Sequence, residues 1–120
     1  MLVPSFPNEL FPTWRDMPPV LATIMMIGLI EEACVKLAHP RLPPGRITVG
    51  SSINVTHIAA TPVGLEVIAT AVLTYIDAER LIFDAICRDS VQEIGRGTHE
   101  RRIVDRLRFE GRVAAKAAVC

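Results

Sequence analysis

The chain offers little to nucleic acid or to a charged surface. It has 13 basic and 13 acidic residues, so its formal net charge is zero at neutral pH. No global field therefore draws a polyanion or an acidic membrane. There are four phenylalanines, one tryptophan and one tyrosine, and no strand interleaves them with basic residues in the way that stacks bases. The three cysteines, Cys34, Cys87 and Cys120, are an odd set without CxxC spacing, which argues against a disulfide framework or a structural zinc site. Also lacking are a phosphate-binding loop, an HExxH pair and a GxSxG elbow. Gly95-Arg96-Gly97 is a lone GxG inside a strand, not at a strand-to-helix turn. Met1 precedes prolines rather than a basic stretch and an apolar run, so no secretory leader is expected. The longest apolar run, Val20 to Ile30, is about 17 Å long as a helix, too short for a bilayer. These absences predict a cytoplasmic protein with no nucleic-acid, membrane or metal partner.

What is present is a core. Half of the 120 residues are apolar, enough for one domain with one interior. Residues 1–19 hold five of the nine prolines, which exclude helix interior and central strand. The same segment carries Phe6, Phe11, Trp14 and Met17, so it is either a strap on the core or a lid over a pocket. Pro18–Pro19 suit a first helical turn, and a helix is predicted over Pro19–Ala38. It is apolar nearly all round from Val20 to Ile30 and should be buried on most sides. A strand or partner backbone passing close would explain Gly28 in its interior. Pro43-Pro44-Gly45 then turns the chain.

From Ile47 the period drops to two. Strict alternation puts Ile47, Val49, Ser51, Ile53, Val55 and His57 on one face. Thr48, Gly50, Ser52, Asn54 and Thr56 fall on the other. Further strands are expected from Leu65 to about Ile76, from Arg80 to Arg88, and from Ile94 through Ile103. The Ala-rich tail, 111–120, reads as a short helix or a frayed end. One buried helix with four long antiparallel strands is an α+β fold, because the sheet must bury one face and only the helix can cover it.

Three polar residues stand in apolar places. Glu31 follows the apolar run of the helix; a buried carboxylate must be paired, protonated or at work, unless Glu31–Glu32 begin a solvent face. His57 closes a strand beside Ile53 and Val55, where a core histidine ordinarily bonds a backbone carbonyl. Thr23 in a helix ordinarily bonds back to its preceding turn. In one straight helix Thr23 and Glu31 are about 12 Å apart along the axis and about 80° apart in rotation. They cannot touch, so uniting them with His57 needs a relay, a bend or two chains. A dimer-interface site is the simplest of these.

The segments VLATIMMIGLIEEACV (20–35), VGSSINVTHIAATPVGL (49–65) and EIGRGTHER (93–101) together resemble the fluoroacetyl-CoA thioesterase family. The resemblance implies a hot-dog fold, a long central helix wrapped by an antiparallel sheet, as one thioesterase domain over 1–120. Only Met1-Leu2-Val3 precede the proline-rich segment, so the first strand is expected to be short or missing, or the start site is misassigned. Homodimers are implied, with a dimer of dimers as an extension, and active sites at the dimer interface. The substrate implied is an acyl-CoA, with no cofactor beyond the coenzyme A it carries. The family's catalytic threonine, glutamate and histidine fall on Thr23, Glu31 and His57. The glycine whose N–H holds the thioester carbonyl falls on Gly50, and an arginine near the site on Arg101. Trp14 and Met17 stand where fluoroacetyl-specific members place lid phenylalanines. Methionine is flexible and has no ring edge, so a broader or different short acyl group is expected. Arg101, Arg102, Arg106, Arg108 and Arg112 form either a site for CoA phosphates or a solvated face. The expected activity is hydrolysis of a short-chain acyl-CoA, of fluoroacetyl type or otherwise. The rival readings are a non-catalytic acyl-CoA-binding hot-dog module and a hot-dog dehydratase or hydratase that leaves the thioester intact.

Overall fold

The computed structural model describes residues 1–3 and 16–119. The apolar segment after Pro18–Pro19 forms the central helix, α1 (Thr23–Ala38), which begins four residues later than Pro19. The residues before it are held by another loop instead. Val20 bridges Pro62, the Leu21 N–H donates to the Thr61 carbonyl at 2.8 Å, and the Val63 N–H donates to the Pro19 carbonyl at 3.2 Å. Backbone groups committed to those partners cannot also close a helical turn. Ala22, at ψ 145°, is therefore the N-cap.

Met26, Ile30, Cys34 and Ala38 recur every fourth residue as the buried stripe of α1. This stripe is narrower than the all-round burial expected, because the sheet covers one side of the helix only. Ile24 is exposed, and a side chain at Gly28 would meet nothing within 4 Å. The close backbone approach expected at Gly28 is therefore absent among the described residues.

A 3₁₀ turn, His39–Arg41, and Gly45 at φ 83° lead into β1 (Arg46–His57). Then come β2 (Val67–Asp77), β3 (Arg80–Asp89) and β4 (Glu93–Asp105). They form one antiparallel sheet in the order β1–β4–β3–β2. Leu81, Phe83, Ala85 and Cys87 of β3 share the buried face, as the alternation predicts, and join Val67 and Ile94 against the α1 stripe. The first strand is present but minimal. Leu2 bridges Glu66, the Val3 N–H donates to the Leu65 carbonyl, and Val3 is buried. The tail is a helix, α2 (Arg106–Val119), that starts before Gly111 and buries no residue. No helix among the described residues is long and apolar enough to cross a membrane.

One irregularity decides the site. β1 pairs with β4 as Gly50 with Arg101 and then Ser52 with Glu100, so Ser51 is an extra residue in a β-bulge. Residues paired across a sheet share a face, and the pairs continue as Ile53 with His99 and His57 with Gly95. Strict alternation separates Gly50 from His57. The bulge shifts the phase by one and puts Thr48, Gly50, Ile53, Val55 and His57 on one face, together with His99 and Arg101.

Candidate functional site

Two polar clusters lie along α1. The first joins its start to the end of β1. Thr23 is the first residue of the helix and His57 the last of the strand. The bonds of Val20 and Leu21 to Pro62 and Thr61 clamp the two ends together. Thr23 Oγ1 lies 2.9 Å from His57 Nδ1, so the threonine serves the histidine rather than its own preceding turn. The other ring nitrogen, His57 Nε2, is buried and has no hydrogen-bond partner among the described residues. An unsatisfied buried polar atom costs about 1–3 kcal/mol, which makes it a place where a partner is owed. A cleft of about 500 Å³ opens at this pair, lined by Met17, Pro18, Leu21, Thr23, His57 and Ile58 among others. Met17 is 55% exposed on its wall. Trp14, the other expected lid residue, lies outside the described residues.

The second cluster surrounds Gly50, two turns further along α1. Glu31 Oε1 lies 3.8 Å from both Arg101 Nη1 and His99 Nε2. For Arg101 that is ion-pair range but too long for a hydrogen bond; an imidazole pairs with a carboxylate only when protonated. The Glu31 side chain is 46% exposed, so it has neither turned wholly to solvent nor been buried. A Cβ on Gly50 would sit 2.9 Å from Glu31 Oε1, so glycine is what lets the carboxylate approach this strand. Arg101 is 8% exposed. It donates through Nε to Thr48 Oγ1 at 2.8 Å and through Nη2 to the Thr48 carbonyl at 2.9 Å. Its guanidinium is thus committed to β1 and is not free for a CoA phosphate. Thr48 is held in turn by His39 Nε2 at 2.8 Å.

The structure brings Thr23 to His57, and Glu31 to Gly50 and Arg101, but it does not bring the two sets together within one chain. Gly50 and His57 are about 20 Å apart along the strand. Of the other arginines expected at a phosphate site, Arg102 pairs with Val49 beside Gly50, while Arg106, Arg108 and Arg112 follow β4 at its far end. Arg46 pairs with Asp105 at the far end of β1, about 36 Å from His57. There Arg46, Arg108 and Arg112 line a groove with Glu79 and Asp105, a face of mixed sign. Burial pushes the thiols of Cys34 and Cys87 up to about 11, so neither supplies a thiolate nucleophile near neutral pH. No group of three or more metal-ligating side chains occurs among the described residues. Sequence reasoning missed His99, Thr48 and His39. His99 had a signal, since it lies in GTHER two positions from Arg101 and so shares its face.

Residues 7–107 match the family model of the fluoroacetyl-CoA-specific thioesterase FlK. The fluoroacetyl-CoA thioesterase of Streptantibioticus cattleyicolor is 44% identical over 105 residues, which cover 88% of this chain and 76% of that protein. A crystal structure of a variant of the FlK thioesterase in complex with fluoroacetate and CoA is 40% identical. It aligns with a TM-score of 0.90 over 97% of this chain and 94% of that one. A hot-dog-like protein from Thermanaerovibrio acidaminovorans, 20% identical, aligns with a TM-score of 0.83 over 97% of this chain and 87% of its own. It shares the fold alone. The sheet wrapped on one central helix is thus a hot-dog fold.

Proposed function

The chain belongs to the fluoroacetyl-CoA-specific thioesterase family, and from that membership we propose that it hydrolyses a short-chain acyl-CoA to the free acid and CoA in the cytoplasm. The observation that carries the catalytic reading is His57, bonded to Thr23 through Nδ1 and buried at Nε2 without a partner among the described residues. A histidine with a hydroxyl on one nitrogen and a carboxylate on the other is a general base for attack on a carbonyl. The hydroxyl is in place, and the carboxylate is to come from a second copy.

In this reading two chains pair about a two-fold axis. β1, 12 residues long, is an edge strand of the described sheet, and an edge strand is a template for pairing with another chain. Antiparallel pairing of β1 with its copy, centred on Asn54 and with Ser51 absorbed in the bulge of each strand, sets His57 of one chain opposite the partner subunit's Gly50. The partner subunit's Glu31 then accepts the Nε2–H of His57. His57 takes the proton of the attacking hydroxyl, either that of Thr23 or that of a water held beside it. The carboxylate steadies the imidazolium, and the Gly50 N–H stabilises the developing oxyanion, a contribution of about 2.7–4 kcal/mol. The tetrahedral adduct collapses with cleavage of the C–S bond and the proton passes to the departing CoA thiolate; where Thr23 attacks, a water activated by His57 then hydrolyses the acyl-threonine ester and frees the acid. The acyl group lies in the apolar cleft beside Met17, whose flexible thioether suits a range of small acyl groups.

The test is release of free CoA thiol from a panel of acyl-CoAs, fluoroacetyl-CoA included. His57→Ala and Thr23→Ala should each lower kcat by about 10²–10⁴-fold. A His57→Ala enzyme as fast as the wild type overturns the assignment. Mass spectrometry of the quenched enzyme shows whether the acyl group passes through Thr23.

A further inference from the structure

His99 is 2% exposed, and none of the chemistry above uses it. Its ring lies under the one irregular point of β1. Nδ1 is 2.8 Å from the Ser52 carbonyl, which can only accept, so Nδ1 carries the proton. Nε2 lies 3.2 Å from Arg101 Nη1, and the guanidinium can only donate, so Nε2 accepts. Arg101 grips Thr48 at its carbonyl and at its hydroxyl. The two side chains therefore hold β1 at Thr48 and at Ser52, two residues on either side of Gly50. Between them Gly50 has little room to spare: a Cβ would lie 3.4 Å from Arg101 Nη1 and from His99 Cε1, and would displace the Glu31 carboxylate. A bulge leaves ladder bonds unmade, and backbone groups so freed need other partners. His99 supplies one at the residue that closes the bulge.

We infer that His99 is a positioning residue: its bond to the Ser52 carbonyl holds the bulge that presents the Gly50 backbone, and by accepting from Arg101 Nη1 it holds the guanidinium that faces the Glu31 carboxylate beside that backbone. The catalytic consequence rests on the thioesterase reading; the brace itself does not.

Two substitutions separate the functions of the ring. His99→Asn puts an amide N–H near the position of Nδ1 and keeps the bond to Ser52. His99→Gln puts its amide near the position of Nε2 and loses that bond. In two-dimensional amide NMR spectra, the Gly50 and Ser52 signals should stay in place in the asparagine variant and move in the glutamine and alanine variants. In acyl-CoA hydrolysis the asparagine variant should keep most of its kcat. The glutamine and alanine variants should lose about a hundredfold in kcat, as a misplacement of about 1 Å can cost, with KM unchanged. Gly50 and Ser52 signals that ignore all three substitutions overturn the brace. Equal kcat losses in the asparagine and glutamine variants, tracking their thermal stability, overturn its catalytic role. An inactive wild type with the expected amide pattern counts against thioester hydrolysis and for the brace.

Discussion

Gly50 shows what one residue decides here. Its missing Cβ is the space into which the Glu31 carboxylate leans, 2.9 Å from where that atom would be. Gly50→Ala is expected to push Glu31 aside by a few tenths of an ångström and to lower kcat by about ten- to a hundredfold. Thermal melting should barely change, because the displaced group is the end of a half-exposed side chain. A variant that melts much earlier instead would show that the glycine serves the fold. Thr23, Glu31 and His57 were each legible as polar residues out of place, and the family motifs gave each a role. The partner of each was not legible. Thr23 finds His57 across 34 residues, and no local pattern encodes so distant a bond.

At the scale of elements, β1 and β4 approach closely at Gly97. A Cβ there would lie 2.6 Å from Val55 Cα and would also collide with the Asn54 carbonyl. These are backbone atoms that cannot swing away. Gly97→Ala should therefore destabilise the fold by about 1–3 kcal/mol, read as a lower denaturation midpoint with an unchanged slope. Helix α2 is the opposite case. None of its described residues is fully buried; Phe109 is half-buried and the Arg106 N–H donates to the Gly45 carbonyl, so removing residues 106–120 should lower unfolding free energy by about 1 kcal/mol or less; a larger loss would show that the tail is part of the core. The periodicities of two and 3.6 identified each strand and the central helix. They misplaced the start of α1 because Val20 and Leu21 bond to Pro62 and Thr61. They also misphased β1, because a bulge adds one residue without changing which residue types are present.

For the whole molecule, acid stability and assembly give two further expectations. The backbone N–H groups of Gln92 and Val91, with the Thr61 hydroxyl, hold the Asp89 carboxyl below its ordinary range. Arg96 does the same for Glu93. Each folded-state value lies below the unfolded one. The stabilisation is therefore present above the ordinary carboxylate range and is lost as pH falls through the folded values. Melting temperature should be flat near neutrality and fall in acid, with a shallower acid limb in Asp89→Asn. Assembly is tested by mixing two inactive variants, Glu31→Ala and His57→Ala, after exchange of subunits. If each site takes His57 from one chain and Glu31 from the other, activity should return to about one quarter of the wild type, because half of randomly formed dimers are mixed and each holds one intact site. No recovery after verified exchange would place the whole site within a single chain.

The sequence by itself determined the α+β architecture, the central helix, the four strands and the family. These follow from local periodicity and from contiguous motifs such as VTHIAATPVGL and GTHER, which survive without knowledge of the fold. Only the tertiary structure decided where α1 begins, which face of β1 carries Gly50, and that Thr23 and His57 form one cluster while Glu31, Arg101 and His99 form another. The physical reason is the same in each case. A backbone or side-chain group was claimed by a partner tens of residues away, Leu21 by Thr61 and Ser52 by His99. Such claims shift register and phase without leaving a mark on the local pattern of residue types.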